Sequence, residues 1–229
     1  MDVAKAFTFV TEDEKWVGKI GIGALLSLLV VTFPLLIGYR VGVTRNVMNG
    51  AERPLPEWDD FGKLFMDGLN VFIAQFVYTL PFWLIMCIGF FATVGFSGLS
   101  EAVNEDVLAA GFLATWGIIA CLFFILAIAW VFLGPAIIIQ YVRHENLGAC
   151  FRFGEVLGIA RENIGDFLII VLAVLGTNII LNSVSGTLFL IPCLGWIASP
   201  ILTLAGLTWL AATGGHLYGQ IAAGKAATF

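Results

Sequence analysis

Residues 107–142 read VLAAGFLATWGIIACLFFILAIAWVFLGPAIIIQYV and contain no charged side chain. A helix that crosses a membrane needs about 20 consecutive apolar residues, so this stretch is long enough to span a bilayer. Two further uncharged stretches cover 68–100 and 167–224, and the second of them is long enough for two spans. Together with an apolar run that begins at Val17, the pattern predicts five spanning helices.

The five predicted spans lie near residues 17–39, 69–98, 108–139, 166–191 and 196–217. Composition agrees with this assignment, because 60% of the 229 residues are hydrophobic and only 12% are charged. Soluble domains carry roughly 25% charged residues. Since each apolar run must pack against another, we expect residues 1–229 to form a single domain, an all-α polytopic transmembrane helical bundle.

The charge balance excludes one class of partner. The chain has 16 acidic and 11 basic residues, a net charge of −5, and no lysine-rich stripe that could neutralise phosphates. Nucleic acid is therefore not an expected partner. The four cysteines form no CxxC pair and no Cys/His cluster, so neither a metal site nor another cofactor is expected.

Basic residues predict the orientation. Eight of them fall in connections that five spans place on one side: Arg40, Arg45, Arg53, Lys63, Arg143, Arg152, Arg161 and Lys225. The connection at 100–107, on the other side, has three acidic residues and no basic one. Because basic residues accumulate on the cytoplasmic side, the pattern predicts a multi-pass cell-membrane protein with an outside N-terminus and a cytoplasmic C-terminus.

Two connections have the pattern of amphipathic helices at the membrane interface, near 56–68 and 151–163. The first has aromatic residues at helical spacing and acids near its start, which suit the positive end of a helix dipole. Its defining residues are Glu57, Trp58, Asp59, Asp60, Phe61 and Phe65. Both connections contain Phe-Gly followed by a charged and an aliphatic residue. This favours a parallel repeat of span, interfacial helix and span, with a chance likeness as the alternative.

The stretch PLPEWDDFGKLFMDGL at 54–69 resembles the signature of an uncharacterised prokaryotic integral-membrane family, known as a domain of unknown function. The segments FTFVTEDEKWVGKI at 7–20, FGEVLGIARENIGDF at 153–167 and HLYGQ at 216–220 resemble the same family. The resemblance covers nearly the whole chain. It implies a helical membrane fold and carries no assigned activity or catalytic residue.

Two of the predicted spans carry patterned side chains. In the fourth, Asn178, Asn182 and Ser185 share one helix face, which predicts either hydrogen bonds between helices or the lining of a path for a polar ligand. The fifth has small residues at intervals of four, and such a ridge lets another helix approach closely, within the bundle or in an oligomer. The ridge consists of Ala211, Gly215, Gly219 and Ala223.

Two functions stay open. The favoured one is a non-enzymatic membrane protein, an accessory, scaffold or lipid-associated helix-packing subunit whose partners are membrane lipid and a second copy or a larger membrane complex. The alternative is a passive channel or facilitator for a small or lipophilic solute, lined by the polar face of the fourth span. An enzyme is not expected, because the spans group no acid, base and nucleophile and the chain has no HExxH or phosphate-loop motif.

Overall fold

A computed structural model describes residues 1–29, 32–98 and 104–226 of the protein. Within these ranges all regular secondary structure is helical, so the predicted all-α class is confirmed. In chain order the helices are α1 (Val3–Glu12), α2 (Trp16–Leu26), α3 (Phe33–Met48), α4 (Phe61–Gly98), α5 (Glu105–His144), α6 (Leu147–Cys150), α7 (Phe153–Glu162), α8 (Ile164–Phe189) and α9 (Leu194–Ala226).

Four helices, α4, α5, α8 and α9, are long and apolar enough to cross a membrane, and they correspond to the second to fifth predicted spans. They form two antiparallel hairpins, α4 with α5 and α8 with α9. In the first hairpin the rings of Phe82 and Phe123 lie 4.8 Å apart, and Trp116 Nε1 donates to Thr93 Oγ1 at 3.1 Å. At 1.5 Å per residue α5 is about 60 Å long, roughly twice the hydrocarbon thickness of a bilayer.

The two hairpins are joined at one end of the bundle, which we call the packed end. Val71 of α4, Ile137 of α5 and Phe167 and Ile170 of α8 are buried there in one cluster with Leu217 of α9. Towards the opposite, distal end, the described helices expose large apolar side chains to their surroundings. Examples are Leu84, Phe91, Leu113, Ile180 and Ile197. A surface of this kind is typical of helices that face lipid.

The first predicted span, residues 17–39, is not one helix. Helix α2 ends at Leu26 and α3 begins at Phe33, while residues 30 and 31 of the predicted span lie outside the described part. The Ser27 hydroxyl donates to Gly23 O at 2.7 Å and so bonds with the last turn of α2. Pro34 lies in the first turn of α3, where its missing N–H leaves no helical hydrogen bond unmade.

The N-terminal helices form a hairpin on α9. Asp2 N donates to Gln220 Oε1 at 2.6 Å, and the rings of Phe9 and His216 lie 4.4 Å apart, so α1 runs from the packed end along α9. Helix α2 continues along α9 as far as Thr208, which a Cβ atom at Gly23 would contact. Thr208 lies about 20 Å along the helix axis from the first residue of α9. Helix α3 then returns along α9 towards the packed end.

Five spans were predicted, whereas the described residues contain four helices long and apolar enough to cross a membrane and an N-terminal hairpin that begins and ends at the packed end. Asp2 lies beside the final turns of α9, which conflicts with the prediction that the two termini are on opposite sides. Hydropathy alone cannot distinguish an apolar hairpin from an apolar span. Residues 99–103, in the acidic connection, lie outside the described residues.

The interfacial helix predicted at 56–68 does not form as a separate element. Residues 51–60 are irregular, and α4 begins at Phe61 and continues without interruption into the span. Asp60 caps this start, because its Oδ1 accepts a hydrogen bond from Lys63 N at 2.8 Å. The connection predicted to be helical at 151–163 does contain α7, so the two connections differ and the proposed repeat unit is not reproduced.

Candidate functional site

The 54–69 segment covers Lys19, a buried lysine at the packed end. Lys19 Nζ lies 2.8 Å from Asp13 Oδ2, 3.0 Å from Glu57 Oε1 and 2.9 Å from the backbone oxygen of Leu55. Lys19 and Asp13 are each 5% exposed, and a buried ion pair is stable only when its remaining polar atoms are satisfied. Burial raises the pKa of Asp13, but hydrogen bonds from Lys19 and Lys15 N outweigh it and hold the pKa below its usual value.

Trp58 packs beside this cluster. Its indole Nε1 donates to the backbone oxygen of Lys19 at 2.9 Å, and its ring stacks on Tyr39 with centroids 4.6 Å apart. Trp58 is buried, Phe65 is half-buried and Phe61 is exposed. The aromatic residues that were predicted to share one helix face therefore lie in different places, since Trp58 precedes α4 and belongs to the core. Glu57, Asp59 and Asp60 are exposed on the irregular segment.

A second polar cluster joins α3, α4 and the end of α5. Arg45 Nη1 lies 2.8 Å from Asp67 Oδ2, and Arg45 Nε lies 2.6 Å from Glu145 Oε1. The Tyr141 hydroxyl donates to Asp67 Oδ1 at 2.7 Å and accepts a hydrogen bond from Asn70 Nδ2 at 3.2 Å. Sequence reasoning did not single out this cluster. The sequence did contain a signal for it, because Arg45 and Asp67 have opposite charges and lie at the borders of two apolar runs.

The polar residues predicted to line a path in α8 have separate partners. Asn178 and Asn182 donate to backbone oxygens four residues earlier in their own helix, at 3.1 and 2.8 Å, and Asn182 is exposed. Ser185 is buried, with its hydroxyl 2.6 Å from Ser199 Oγ and 2.9 Å from Thr203 Oγ1 of α9. Ser185 therefore connects α8 with α9.

The small-residue ridge of α9 packs on α3 of the same chain. A Cβ atom at Gly215 would lie 2.7 Å from Arg40 O, and one at Gly219 would lie 2.8 Å from a backbone oxygen of α3. Ala211 is buried and Ala223 is half-buried. The ridge thus permits the close helix approach that its spacing predicts, and the structure identifies α3 as its partner.

A cavity of about 300 Å³ lies beside the core of the packed end. Four polar side chains line it, one from each of α3, α4, α5 and α9: Arg40, Gln75, Trp130 and Tyr218. The remaining lining comes from apolar residues of α5 and α8 and includes Gly134. Its volume is at the lower limit of ligand pockets in proteins, and a mixture of apolar walls with a few polar groups is typical of them.

Arg40 is the unusual residue of this cavity. Within the part of the chain that the structure describes, its guanidinium makes no ion pair and no hydrogen bond, and its Nε is buried. Arg40 Nε and Tyr218 Cζ would both lie within 4.0 Å of a Cβ atom at Gly214, so the two polar groups are close neighbours. The charge of Arg40 entered the predicted orientation, whereas its place in a cavity was not predicted.

A comparison with protein-family models matches residues 22–191 to DUF4013, described as a protein of unknown function. The chain belongs to the DUF4013 family. A search of curated proteins found no match, and a search of solved structures found none either. Membership of DUF4013 agrees with the resemblance to an uncharacterised family and assigns no activity.

The DUF4013 match includes most residues described above. Arg40, Gln75 and Trp130 of the cavity lie within it, as does the 54–69 segment. Tyr218 and the small-residue ridge of α9 lie beyond its C-terminal limit, and Lys19 lies before its N-terminal limit. Arg40 and the apolar walls of the cavity therefore belong to the part of the chain that defines DUF4013, and Tyr218 completes the cavity from outside it.

Proposed function

We propose that this DUF4013 chain is a non-enzymatic, lipid-associated membrane protein that acts as an accessory or scaffold subunit. The observation that carries the proposal is the division of the bundle. At the packed end the buried ionisable groups hold helices together, as Lys19 does with Asp13 and Arg45 does with Asp67. Towards the distal end the two hairpins expose apolar surface, which suits lipid or another membrane helix.

Passive passage of a solute is the weaker alternative. It requires a continuous polar lining, whereas Asn178 and Asn182 are bonded to their own helix and Ser185 is bonded to α9. Burying an unpaired polar group in hydrocarbon costs free energy, so each of these side chains needs a hydrogen-bond partner whether or not a solute passes.

The proposal includes an orientation with the packed end in the cytoplasm. Because the N-terminal hairpin returns to this end, all 11 lysine and arginine residues lie in the hairpin, in the two connections at this end and the helix turns that border them, or in the last turn of α9. The start of α5, at the distal end, instead has Glu105 and Asp106 in its first turn. The positive-inside rule then favours two cytoplasmic termini.

Labelling with a membrane-impermeant maleimide measures this orientation. In a chain whose four cysteines are replaced by alanine, we expect Glu105→Cys to react in intact cells. Glu14→Cys, whose parent side chain is 79% exposed, is expected to react only after the cells are permeabilised. The cysteine-free chain is the control for background. Reaction of Glu14→Cys in intact cells would contradict the orientation and restore the predicted outside N-terminus.

Native mass spectrometry of the tagged chain tests the proposed role. The chain is extracted from its own membrane in polymer nanodiscs, so that lipids and partners stay bound. We expect either a protein partner at fixed stoichiometry or discrete bound lipid. A bare monomer without lipid or partner would be evidence against the proposal. Solute flux in liposomes that is lost with Asn178→Leu and Asn182→Leu would instead favour a channel.

A further inference from the structure

The Arg40 cavity is rich in unused hydrogen-bond donors. Arg40, Gln75, Trp130 and Tyr218 line it, and none of these four side chains makes a hydrogen bond to another described residue. The guanidinium and the indole N–H can only donate, and the amide and the phenol each add a donor. No acidic residue is among the described residues that line the cavity. Such a set of groups is complementary to an anion.

The lack of a partner for Arg40 among the described residues also indicates an anionic ligand. Arg40 is half-buried and its Nε is closed off from solvent, and arginine in membrane segments usually faces a compensating partner. Arg45, one turn further along α3, has that compensation in Asp67 and Glu145. Arg40 differs from Arg45 because no described residue supplies it with a compensating anion.

The apolar wall indicates what kind of anion fits. On α8 the lining runs from Phe167 to Leu175, about 12 Å along the helix axis, and Pro135 and Ile138 of α5 face the same cavity. Leu175 is also exposed at the outer surface of α8, so the wall continues to the surface that faces lipid. A small soluble anion would leave this wall uncovered, whereas an acyl chain would cover it.

We propose that the cavity binds one anionic amphiphile, with phosphate or carboxylate oxygens on the Arg40 guanidinium and an acyl chain between α5 and α8. The inference rests on the proposed lipid-associated function and names its ligand class. The planar guanidinium can hold two such oxygens at once. Trp130 and Tyr218 each combine an apolar ring with a polar tip, as aromatic residues near lipid head groups do.

Lipid retention measures the site directly. The purified chain is placed in phosphatidylcholine nanodiscs that also contain small and equal fractions of phosphatidylglycerol and oleate. The molecules that stay bound to the chain are counted by native mass spectrometry. We expect one phosphatidylglycerol or one oleate per chain. Arg40→Gln should lower this retention about tenfold or more, the usual effect of removing a charged hydrogen-bond partner. Preference for phosphatidylglycerol assigns a phosphate head, and preference for oleate assigns a carboxylate.

Two variants complete the test. Gly134→Leu should also lower retention, since the nearest atoms to a Cβ atom there belong to the Trp130 side chain, at 3.7 Å, and the larger side chain would fill the cavity. Arg53→Gln removes an exposed arginine at the same end and should leave retention unchanged. Because Arg40 has no partner among the described residues, Arg40→Gln should melt no earlier than the unmodified chain in lipid-free detergent.

The outcomes separate the site from the wider proposal. Equal retention in Arg40→Gln and Arg53→Gln would overturn the Arg40 site, while bound lipid in both would leave the lipid-associated role intact. Equal retention of phosphatidylcholine and the two anionic molecules would overturn the charge selectivity. Absence of bound lipid and of any partner from the unmodified chain would instead remove the basis of the proposed function.

Discussion

Replacing Gly68 with alanine is expected to separate α3 from α4 and to destabilise the protein by about 3 kcal/mol, the upper part of the usual range for overpacking. A Cβ atom at this position would overlap the backbone oxygen of Pro34 and lie 2.6 Å from Gly38 N. Gly38 is in the reciprocal position, since its Cβ would overlap the backbone oxygen of Leu64. These are backbone atoms, so rotating a side chain cannot relieve the overlap.

The effect is measured as the midpoint of thermal unfolding in detergent micelles, followed by circular dichroism. Gly62→Ala is the matched control, because Gly62 is exposed in the first turn of the same helix. The nearest atom to a Cβ there is Asp60 Oδ1, at 3.6 Å. Alanine also has the higher helix propensity, so Gly62→Ala should be neutral or slightly stabilising. Equal midpoints for the two variants would show that the helices are not in backbone contact.

Lys19→Met is expected to cost about 3–5 kcal/mol, the range observed when one partner of a buried ion pair is removed. The change leaves the buried Asp13 carboxylate without its counter-ion and the Leu55 backbone oxygen without its donor. Methionine fills a similar volume, so the loss reflects charge and hydrogen bonding more than packing. The same unfolding midpoint, with a chemical denaturation series, provides the measurement.

Lys15→Met is the control for this change. Lys15 lies four residues earlier, its side chain is 76% exposed, and its Nζ lies 3.9 Å from Glu57 Oε1. Exposed pairs of this kind contribute little to stability. A second variant that combines Lys19→Met with Asp13→Asn should recover part of the loss, since it removes the unpaired buried charge. If Lys15→Met and Lys19→Met were equally mild, the Lys19 cluster could not be holding the packed end together.

The four long helices were predictable because absence of charge over 20 or more residues leaves few alternatives. The helices α4, α5 and α9 extend beyond the predicted spans, α4 by eight residues at its start and α9 by nine at its end. The first predicted span is also apolar apart from Lys19, yet Ser27 and Pro34 interrupt it and α9 provides a surface for both of its halves. An apolar run shows that a segment avoids water. Whether lipid or a neighbouring helix covers it depends on tertiary contacts that hydropathy does not contain.

The site residues were less predictable for a related reason. Trp58, Phe61 and Phe65 have helical spacing, but the Trp58 N–H bonds to Lys19, 39 residues away, and this contact draws it out of the helix. A pattern read over a window of 11 to 18 residues cannot include so distant a partner. Likewise, the charge of Arg40 is visible in the sequence. That no acidic side chain is among the described residues lining its cavity appears only once five helices are assembled.

Because α1, α2 and α3 pack on α9, the first helices to be synthesised depend on the last one for their final contacts. Phe9 leaves the ribosome about 200 residues before its partner His216 does. At roughly 5–20 residues per second, this delay lasts about 10–40 s. Throughout that interval the early helices are without their final neighbour. A chaperone or the insertion machinery would have to shelter their apolar faces until the last helix arrives.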